Sequence, residues 1–367
     1  MKMLAAVTEE NGAPFKIQEV ELEAPKENEV LIKLSGVGIC PNDFVASVGG
    51  LGLKMPAVLG HEGSGIVQEV GKNVRTIKPG DHVVMTYYSC GVCEHCRSGH
   101  PTTCSTFDQM NLHGGVYPDG TKRIRIKNRK KASVMFCQGA FAEYAVTTER
   151  NCVVIDKDVD IGLFGPLGCG LQAGAGTVAN KLKPSIGSTI AIFGCGPIGL
   201  CALMMARNAG CSKIIAVDAI PERLQKAKEI GATHLINGPE IGDIPQAIRD
   251  MTGEGTDYAV DTTANPDLVN AALYGLKPMG TLCVMGSSGP KVFPIVMQDA
   301  IMGPGKSLVG CVEGDSEPQK FIPMLVELYK QGKFSFDQLI TEYKFEEINQ
   351  AVADMNAKKV YKPVIRF

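Results

Sequence analysis

The stretch that decides the fold is STIAIFGCGPIG, residues 188–199. An apolar run with the length of a buried strand leads into the pattern GxGxxG, formed by Gly194, Gly196 and Gly199, and a helical pattern follows. Asp218 stands nineteen residues after Gly199, at the end of the next predicted strand. This order of strand, glycine turn, helix and acidic residue is typical of a dinucleotide-binding unit. The alternative is the same glycine turn in a strand–helix–strand unit that binds no ligand.

The glycine pattern suits a bound pyrophosphate. Gly194 permits a tight turn, Gly196 lets the pyrophosphate approach the backbone, and Gly199 lets the helix pack closely on the sheet. The helix begins at Pro197 and Ile198, and its N-terminus favours the charge of the phosphates. We therefore predict that these five residues bind the cofactor.

The acidic residue indicates which cofactor is used. The Asp218 carboxylate can accept hydrogen bonds from the ribose hydroxyls of adenosine and would repel a 2′-phosphate, which favours NAD over NADP. Arg223, five residues later, is a second candidate for contact with this ribose. Its alternative is an ordinary surface cation.

The pattern around this stretch predicts the rest of the fold. From about residue 185, six candidate strands with helical crossovers predict a doubly wound parallel sheet of the Rossmann type, in an α/β fold. These strands are 188–193, 213–218, 234–236, 257–261, 281–286 and 307–312. Residues 1 to about 160 instead predict short β segments broken by glycine and proline. Two helices and a short strand are expected at 319–331, 346–356 and 363–367.

Composition and charge exclude several classes of protein. The chain has 367 residues, with 37 Lys and Arg against 39 Asp and Glu, a net charge of −2. This balance argues against nucleic-acid binding and against a polybasic membrane protein. The N-terminus lacks the apolar core of a signal peptide, and the longest apolar stretch, residues 190–206, contains four helix breakers. We expect a cytoplasmic protein with neither a nucleic-acid nor a membrane partner.

The cysteines indicate bound metal. Thirteen cysteines in such a chain predict metal-bound thiolates and buried thiols rather than disulfides. Cys90, Cys93, Cys96 and Cys104 follow the spacing C-x2-C-x2-C-x7-C. Four thiolates close a tetrahedral zinc site with no open position, which makes such a zinc structural. An iron–sulfur cluster is the chemical alternative, but the fourth cysteine of a ferredoxin follows after three residues and precedes proline.

Three further segments carry metal-ligand residue types: GICPND at 38–43, GHEGSG at 60–65 and GPLGCG at 165–170. Together with KPGDHVV at 78–84, the four-cysteine segment and the glycine pattern, they run in the order found in the zinc-dependent medium-chain alcohol dehydrogenases. The sequence resembles that family along nearly its whole length. Through GCVEG at 310–314 and Lys362-Pro363, it is most similar to the NAD-dependent aryl (benzyl) alcohol dehydrogenases.

The resemblance implies a second, catalytic zinc held by Cys40, His61 and Cys169. Three protein ligands leave the fourth position for water or substrate, as a catalytic zinc requires. Asp43 matches the carboxylate that orients the ligating histidine. Glu62 matches a glutamate that can approach the metal during ligand exchange.

The resemblance also implies the architecture and the activity. Residues 1–170 and 313–367 would form a chaperonin-10-like catalytic domain with a structural zinc lobe at 90–104, and residues 171–312 the NAD-binding domain. Lys362 matches a basic residue on the pyrophosphate of NAD, or is a surface cation. The expected activity is hydride transfer between NAD and a primary aryl or allylic alcohol, in a homodimer or homotetramer. The pocket would be lined by Thr86, Tyr87, Met135 and Phe136, while Tyr88 suits a pocket and a β core equally.

Asn42 departs from the family pattern. The family carries Ser or Thr there, whose hydroxyl relays the alcohol proton, and an amide cannot relay a proton in this way. Either a water or the ribose hydroxyl carries the proton, or the enzyme is slow with ordinary alcohols, or it reduces an anionic carbonyl, an imine or an activated alkene. A non-catalytic binding protein on the same fold is the alternative from another class.

The run KRIRIKNRKK, residues 122–131, holds seven basic residues. Its alternation predicts a hairpin with one charged, solvated face. The alternative is a clamp for an anionic substrate.

Overall fold

A computed structural model of the chain describes residues 1–127, 130–287, 289 and 291–367. These residues form two compact units. One comprises Met1–Gly170, Glu317–Lys330 and Ser335–Phe367, and the other comprises Leu171–Ser316 and Gln331–Phe334. Within the described ranges, no helix combines the length and the apolar character needed to cross a bilayer.

The strands of the described residues are β1 (Lys2–Thr8), β2 (Lys16–Leu22), β3 (Glu29–Gly38), β4 (Ala57–Val58), β5 (Glu62–Val70), β6 (His82–Met85), β7 (Ile124–Arg125), β8 (Lys131–Val134), β9 (Tyr144–Thr148), β10 (Cys152–Ile155), β11 (Thr189–Phe193), β12 (Lys213–Asp218), β13 (His234–Asn237), β14 (Thr256–Asp261), β15 (Leu276–Val284), β16 (Ser307–Gly310), β17 (Ile340–Lys344) and β18 (Lys362–Arg366).

The α-helices are α1 (Pro41–Ser47), α2 (Glu94–Arg97), α3 (Gly170–Gly176), α4 (Pro197–Asn208), α5 (Pro221–Ile230), α6 (Gly238–Ile241), α7 (Ile244–Thr252), α8 (Pro266–Tyr274), α9 (Pro318–Lys330) and α10 (Ile348–Asn356). Two short helical turns also matter below: a π-helical turn at Gln109–His113 and a 3-10 turn at Glu149–Asn151.

The second unit contains the predicted doubly wound sheet. Six parallel strands lie in the order β13-β12-β11-β14-β15-β16. The central strand β11 is apolar from Ile190 to Phe193, and all four residues are buried, as expected for a parallel strand covered on both faces. The strand order reverses at β11, so its carboxyl end is the point where such sheets bind ligands. The predicted fold class is confirmed.

The first unit is a β structure with two sheets. Strands β1, β2, β7, β8 and β4 close a small barrel, and a second sheet runs in the order β10-β6-β5-β3-β18-β17, with β9 also pairing with β3. β18 pairs antiparallel with β3, so that Ile365 lies opposite Val37. This pairing brings the last strand beside the segment that leads to Cys40.

The core of the first unit surrounds the expected metal ligands. A large cluster of buried apolar residues in this unit includes Cys40 and Cys169 together with Tyr87, Met135 and Phe136. The expected thiolate ligands and the expected pocket residues therefore share one apolar interior.

The basic run corrects one expectation. β7 and β8 pair as a small antiparallel hairpin, as predicted, but Arg123 does not lie on a solvated face. It is fully buried, with its guanidinium paired to Glu29 and Asp119 and 4.7 Å from the Tyr117 ring centroid. The barrel interior accepts this arginine because two carboxylates compensate its charge. Asn128 and Arg129 of the run lie outside the described residues.

Candidate functional site

The four-cysteine segment forms a compact cluster of sulfurs around the short helix α2. The four Sγ atoms lie within 4.8 Å of one another, and the Cys90–Cys96 and Cys93–Cys104 pairs are each separated by 4.0 Å. Tetrahedral zinc with Zn–S bonds of about 2.3 Å requires sulfurs about 3.8 Å apart. Backbone N–H groups also donate to two of the sulfurs, from Cys90 to Cys104 and from Cys93 to Cys90. The cluster therefore fits one closed zinc site.

A second group of metal donors lies in the core of the first unit. Donor atoms of Cys40, His61, Glu62 and Cys169 all lie within 4.8 Å of one another, and all four side chains are buried. Two thiols, one imidazole and one carboxylate are a donor set suited to zinc.

Each donor stands at the end of a structural element. Cys40 is the N-cap of α1, Glu62 begins β5 with His61 just before it, and Cys169 ends the 3-10 turn Gly165–Gly168. Each donor residue is therefore anchored by the backbone of a regular element next to it. Gly60, with φ of +85°, lets the chain turn into His61 because a Cβ there would lie 2.6 Å from Phe141.

Asp43 organises this group. Its Oδ1 lies 2.9 Å from Nδ1 of His61 and accepts a hydrogen bond from the N–H of Gly60 at 3.0 Å. Its Oδ2 accepts from the N–H of Cys40 at 3.0 Å. The carboxylate therefore fixes the imidazole with Nδ1–H toward Asp43 and Nε2 toward the other donors.

The other imidazole nitrogen is the strongest sign of a bound ion. Nε2 of His61 is buried and has no hydrogen-bond partner within the part of the chain that the structure describes. A buried polar atom without a partner is costly, and coordination of a cation would satisfy it. The residues present thus fit a zinc ion.

The charges of the group reflect burial and close pairing. The neighbouring Cys169 thiol and the positive charge of the nearby His61 imidazole hold the pKa of Cys40 well below its usual range, although burial opposes this. Burial lowers the pKa of His61, but the Asp43 carboxylate outweighs it and leaves this pKa well above its usual range. The site thus favours a thiolate at Cys40.

Lys362 is not a surface cation. It is buried, and its ammonium donates to both carboxylate oxygens of Glu62, at 2.8 and 2.9 Å, and to the carbonyl of Ile39 at 3.3 Å. Burial raises the pKa of Glu62 to about 6, with the Lys362 ammonium opposing. The contact expected between Lys362 and NAD stays a prediction.

The four expected pocket residues are brought together beside this group, and we call them the pocket wall. Thr86 and Tyr87 follow β6, while Met135 and Phe136 follow β8, and all four are buried. The Phe136 ring lies 4.6 Å from the imidazole of His61, centroid to centroid. An aromatic surface therefore stands directly against one of the candidate metal ligands.

Sequence reasoning missed one aromatic residue here. Phe107 lies 5.5 Å from the Tyr87 ring and 6.4 Å from the Phe136 ring, centroid to centroid, and extends the same surface. It follows the four-cysteine segment, and nothing in its local pattern distinguishes it from an ordinary core residue. Asn42, in contrast, is the second residue of α1, two residues after Cys40, and is half-buried.

The glycine pattern of the second unit has the geometry that a dinucleotide needs. Gly194 has φ of +91°, and a Cβ on Gly199 would lie 1.9 Å from the carbonyl oxygen of Gly194. A Cβ on Gly196 would meet no atom closer than 3.9 Å, so the space beside this backbone is open to a ligand. Pro197 and Ile198 begin α4 behind it.

Asp218 ends β12 next to this turn. Its Oδ2 accepts from the N–H of Cys195 at 2.7 Å, and its Oδ1 accepts from the N–H groups of Ala219 and Ile220. The carboxylate is thereby fixed at the carboxyl end of the sheet. Arg223, in the first turn of α5, has its guanidinium as the nearest neighbour of the open space at Gly196.

Comparison with known proteins identifies the family. Residues 26–157 match the alcohol dehydrogenase GroES-like domain, and residues 197–330 match the zinc-binding dehydrogenase domain. The chain is 38% identical to a geraniol dehydrogenase of Castellaniella defragrans, over 99% of this chain and 97% of the relative.

Two solved structures are similar over the full length. One is an alcohol dehydrogenase zinc-binding domain protein of Burkholderia ambifaria, with 42% identity and a TM-score of 0.97. The other is the benzyl alcohol dehydrogenase of Acinetobacter calcoaceticus, with 40% identity and a TM-score of 0.96. In both comparisons 100% of this chain and 99% of the other chain are covered. These relatives do not favour the non-alcohol reductase or the non-catalytic protein. The chain belongs to the zinc-binding alcohol dehydrogenase family, whose members interconvert alcohols and aldehydes with NAD.

Proposed function

We propose that this protein oxidises primary aryl or allylic alcohols to aldehydes with NAD, and catalyses the reverse reduction, at a zinc ion held by Cys40, His61 and Cys169. The observation that carries the proposal is the aromatic pocket wall against the buried donor group, with Phe136 4.6 Å from the His61 ring. A flat, apolar substrate complements such a surface.

The relatives support the same substrate class. Benzyl alcohol bears its carbinol carbon on an aromatic ring, and geraniol bears its carbinol carbon on an alkene. The relatives named for these two alcohols are 40% and 38% identical to this chain over nearly its whole length. Both alcohols are primary and carry a planar group next to the reacting carbon.

Each residue of the first unit has a separate task in this proposal. A bound zinc supplies Lewis acidity to the alcohol or carbonyl oxygen, and NAD supplies the hydride acceptor. Asp43 holds the imidazole of His61 in one tautomer and one orientation. Lys362 balances the charge of Glu62, while the pocket wall keeps water from the reacting carbon. Cys90, Cys93, Cys96 and Cys104 hold a second zinc that stabilises the fold.

The second unit binds the cofactor in this proposal. The pyrophosphate lies on the backbone of Gly194, Gly196 and Gly199 and on the N-terminus of α4, at Pro197 and Ile198. The Asp218 carboxylate accepts hydrogen bonds from the adenosine ribose, with Arg223 beside it.

Asn42 leaves the release of the alcohol proton to another group. Its amide can donate a hydrogen bond to the substrate oxygen but cannot relay a proton as a hydroxyl does. In our proposal a water molecule or the ribose hydroxyl of the cofactor carries the proton away.

The test is an assay of NADH formation at 340 nm, with benzylic, allylic and aliphatic primary alcohols and with NAD and NADP. We expect turnover of the first two classes with NAD and two zinc ions per chain. An Asn42→Thr variant should retain this preference. Turnover of no alcohol by the parent, with activity appearing only in Asn42→Thr, would contradict the proposal and indicate a different substrate.

We also propose that the protein is a cytoplasmic homodimer or homotetramer. Thiolate ligands are favoured in a reducing compartment, and the described residues contain no disulfide among the thirteen cysteines. β16 is an edge strand, and Met279, Val292 and Met297 of the same unit are more than 70% exposed, which suits contact with a second copy. Light scattering after size exclusion would test the assembly, and a monomeric mass would refute it.

A further inference from the structure

Three buried side-chain amides cross-link the two segments of the pocket wall. Asn111, Gln138 and Asn151 are each at most 1% exposed. Buried amides are costly unless their donors and acceptors are satisfied, and a satisfied network fixes the backbone around it. We call these three residues the amide frame.

Asn151 connects both segments of the wall. Its Nδ2 donates to the carbonyl of Thr86 at 2.9 Å and to the carbonyl of Phe136 at 3.0 Å. Its own carbonyl accepts from the N–H of Thr86 at 2.7 Å, and its Oδ1 accepts from the hydroxyl of Thr148. One side chain therefore sets the distance between the segment after β6 and the segment after β8.

The other two amides strengthen this connection. Gln138 donates from Nε2 to the carbonyl of Thr86 at 2.9 Å. Asn111 accepts from the N–H of Tyr88 at 2.7 Å and donates to the carbonyl of the same residue at 3.0 Å, while its own carbonyl accepts from the N–H of Phe136. The Thr86 carbonyl thus accepts from the side-chain amides of Gln138 and Asn151. The Phe136 N–H donates to Asn111, and the Phe136 carbonyl accepts from Asn151.

Phe136 needs this support because its backbone is strained. Phe136 and Cys137 have φ of 52° and 54°, in the left-handed region that side chains with a Cβ rarely adopt. Such conformations persist only where the surrounding contacts determine them. Here the N–H and the carbonyl of Phe136 are both held by the amide frame.

The frame also fixes the wall relative to the metal donors. The hydroxyl of Thr86 donates at 2.8 Å to the carbonyl of Gly168, the residue before Cys169. Oε1 of Gln138 accepts from the N–H of Gly63, the residue after Glu62, at 3.4 Å. The position of the aromatic surface relative to the donor group is therefore set by hydrogen bonds to residues next to Cys169 and Glu62.

We propose that Asn151 is a positioning residue for substrate selection: by holding Thr86 and Phe136 in one arrangement, it keeps the Phe136 ring close to the His61 imidazole and favours planar alcohols over flexible aliphatic ones. This inference rests on the proposed function. Asn151 does not touch the substrate in this proposal, and its effect is transmitted by the Phe136 ring.

The test compares Asn151→Leu with the parent and with Asn349→Leu as a control for the loss of side chain–backbone hydrogen bonds. Asn349 is exposed, but it also bonds a backbone on both sides, accepting from the N–H of Phe15 and donating to its carbonyl, and within the described residues it has no hydrogen bond to the wall. Two readouts are needed: hydrogen–deuterium exchange of peptides covering 86–88 and 135–138, and the ratio of kcat/KM for benzyl alcohol to that for 1-hexanol.

For Asn151→Leu we expect faster exchange in both segments and a fall of about 10-fold in the ratio, because small displacements at a reacting centre are costly. Zinc content and NADH affinity should not change, and Asn349→Leu should show neither effect. Gln138→Leu removes one bond to the Thr86 carbonyl and leaves the two Asn151 donors in place, so it should give the same changes in weaker form. This variant replaces Asn151→Leu in the test if Asn151→Leu does not fold.

Two results would overturn the inference. Unchanged exchange at the wall would show that Asn151 does not hold it. Faster exchange with an equal loss of kcat/KM for both alcohols would show a structural role without selection. If the parent does not oxidise benzyl alcohol at all, the proposed function fails, and the exchange data alone then decide whether Asn151 holds the wall.

Discussion

Replacing Asp43 by asparagine should release the zinc of the candidate active site while leaving the zinc of the four-cysteine cluster in place. Asp43 is fully buried and accepts three hydrogen bonds, from His61, Gly60 and Cys40. All three donors are N–H groups, so a carboxylate satisfies them with two acceptor oxygens. An amide of the same size has only one acceptor oxygen.

The cost follows from the two orientations of that amide. With its oxygen toward His61 and Gly60, its NH2 group faces the N–H of Cys40 and one bond is lost. With its oxygen toward Cys40, two bonds are lost. A hydrogen bond to a charged group contributes about 1.5–3 kcal/mol, so the better orientation costs roughly that amount. The lost bond positions the backbone of the ligand Cys40, so we expect the cost to fall on the zinc-bound state. At about 1.4 kcal/mol per factor of ten, zinc affinity at this site should fall about 10- to 100-fold.

The assay is zinc content after dialysis against a graded chelator series, together with kcat/KM. We expect Asp43→Asn to fall from two zinc ions per chain to one at chelator concentrations that leave the parent intact, with activity lost in parallel. Asp81→Asn is the control, because Asp81 is also buried and accepts a backbone N–H, from Lys78 at 3.0 Å. Retention of both ions by Asp43→Asn through the same chelator range would refute the reasoning.

Three further changes test other parts of the structure. Gly196→Ala should keep the Tm of the parent but weaken NADH binding at least 10-fold in a fluorescence titration. Gly199→Ala should lower the Tm, because its Cβ would lie 1.9 Å from a backbone oxygen. Equal Tm values for the two variants would contradict this prediction. Arg123→Met should cost about 3–5 kcal/mol in urea unfolding because it leaves Glu29 buried without its partner, and a loss below 1 kcal/mol would show that the pair contributes little. Asp257→Asn should cost about 1–2 kcal/mol of stability at pH 7. Burial raises the pKa of Asp257, but the contacts with Lys277 and Thr189 outweigh it and hold this pKa below 3.8. The stability contributed by the carboxylate is therefore present above pH 3.8 and is lost as the pH falls through the lowered pKa. Urea midpoints at pH 7 and pH 3.5 check this, and a difference between parent and variant that is as large at pH 3.5 would contradict it.

The grouping of Cys40, His61 and Cys169 was implied by the family resemblance, not by local spacing. Other parts of the site follow from local spacing: Cys40 and Asp43 stand three residues apart, as the N-cap and the third residue of α1, so the aspartate side chain reaches back to the N–H of Cys40. GxGxxG likewise specifies its own turn, because a Cβ on Gly199 would collide with the carbonyl of Gly194. In both cases the contact lies within five residues of sequence, and the residue types alone determine it.

The parts that the sequence did not predict depend on distant partners. Arg123 was expected in solvent because its neighbours along the chain are basic, but its compensating Glu29 lies 94 residues away. The amide frame could have been suspected from one signal: Gln138 is the polar residue within the otherwise apolar or small run from Val134 to Ala142. Its partner Thr86 is 52 residues away, and no local pattern names it.

Lys362 shows how far this dependence extends. It lies 300 residues from Glu62, on the last strand of the chain, and β18 reaches the donor group only through its antiparallel pairing with β3. Until β18 has paired, Glu62 is a carboxylate in an apolar interior without its cation, which is unfavourable. The neutralised Glu62 therefore depends on a contact that closes a loop of 300 residues, and the pairing of β18 with β3 brings Lys362 beside the segment that carries Cys40. The candidate active site thus depends on the last strand of the chain, whereas the four-cysteine cluster has ligands that span only fifteen residues.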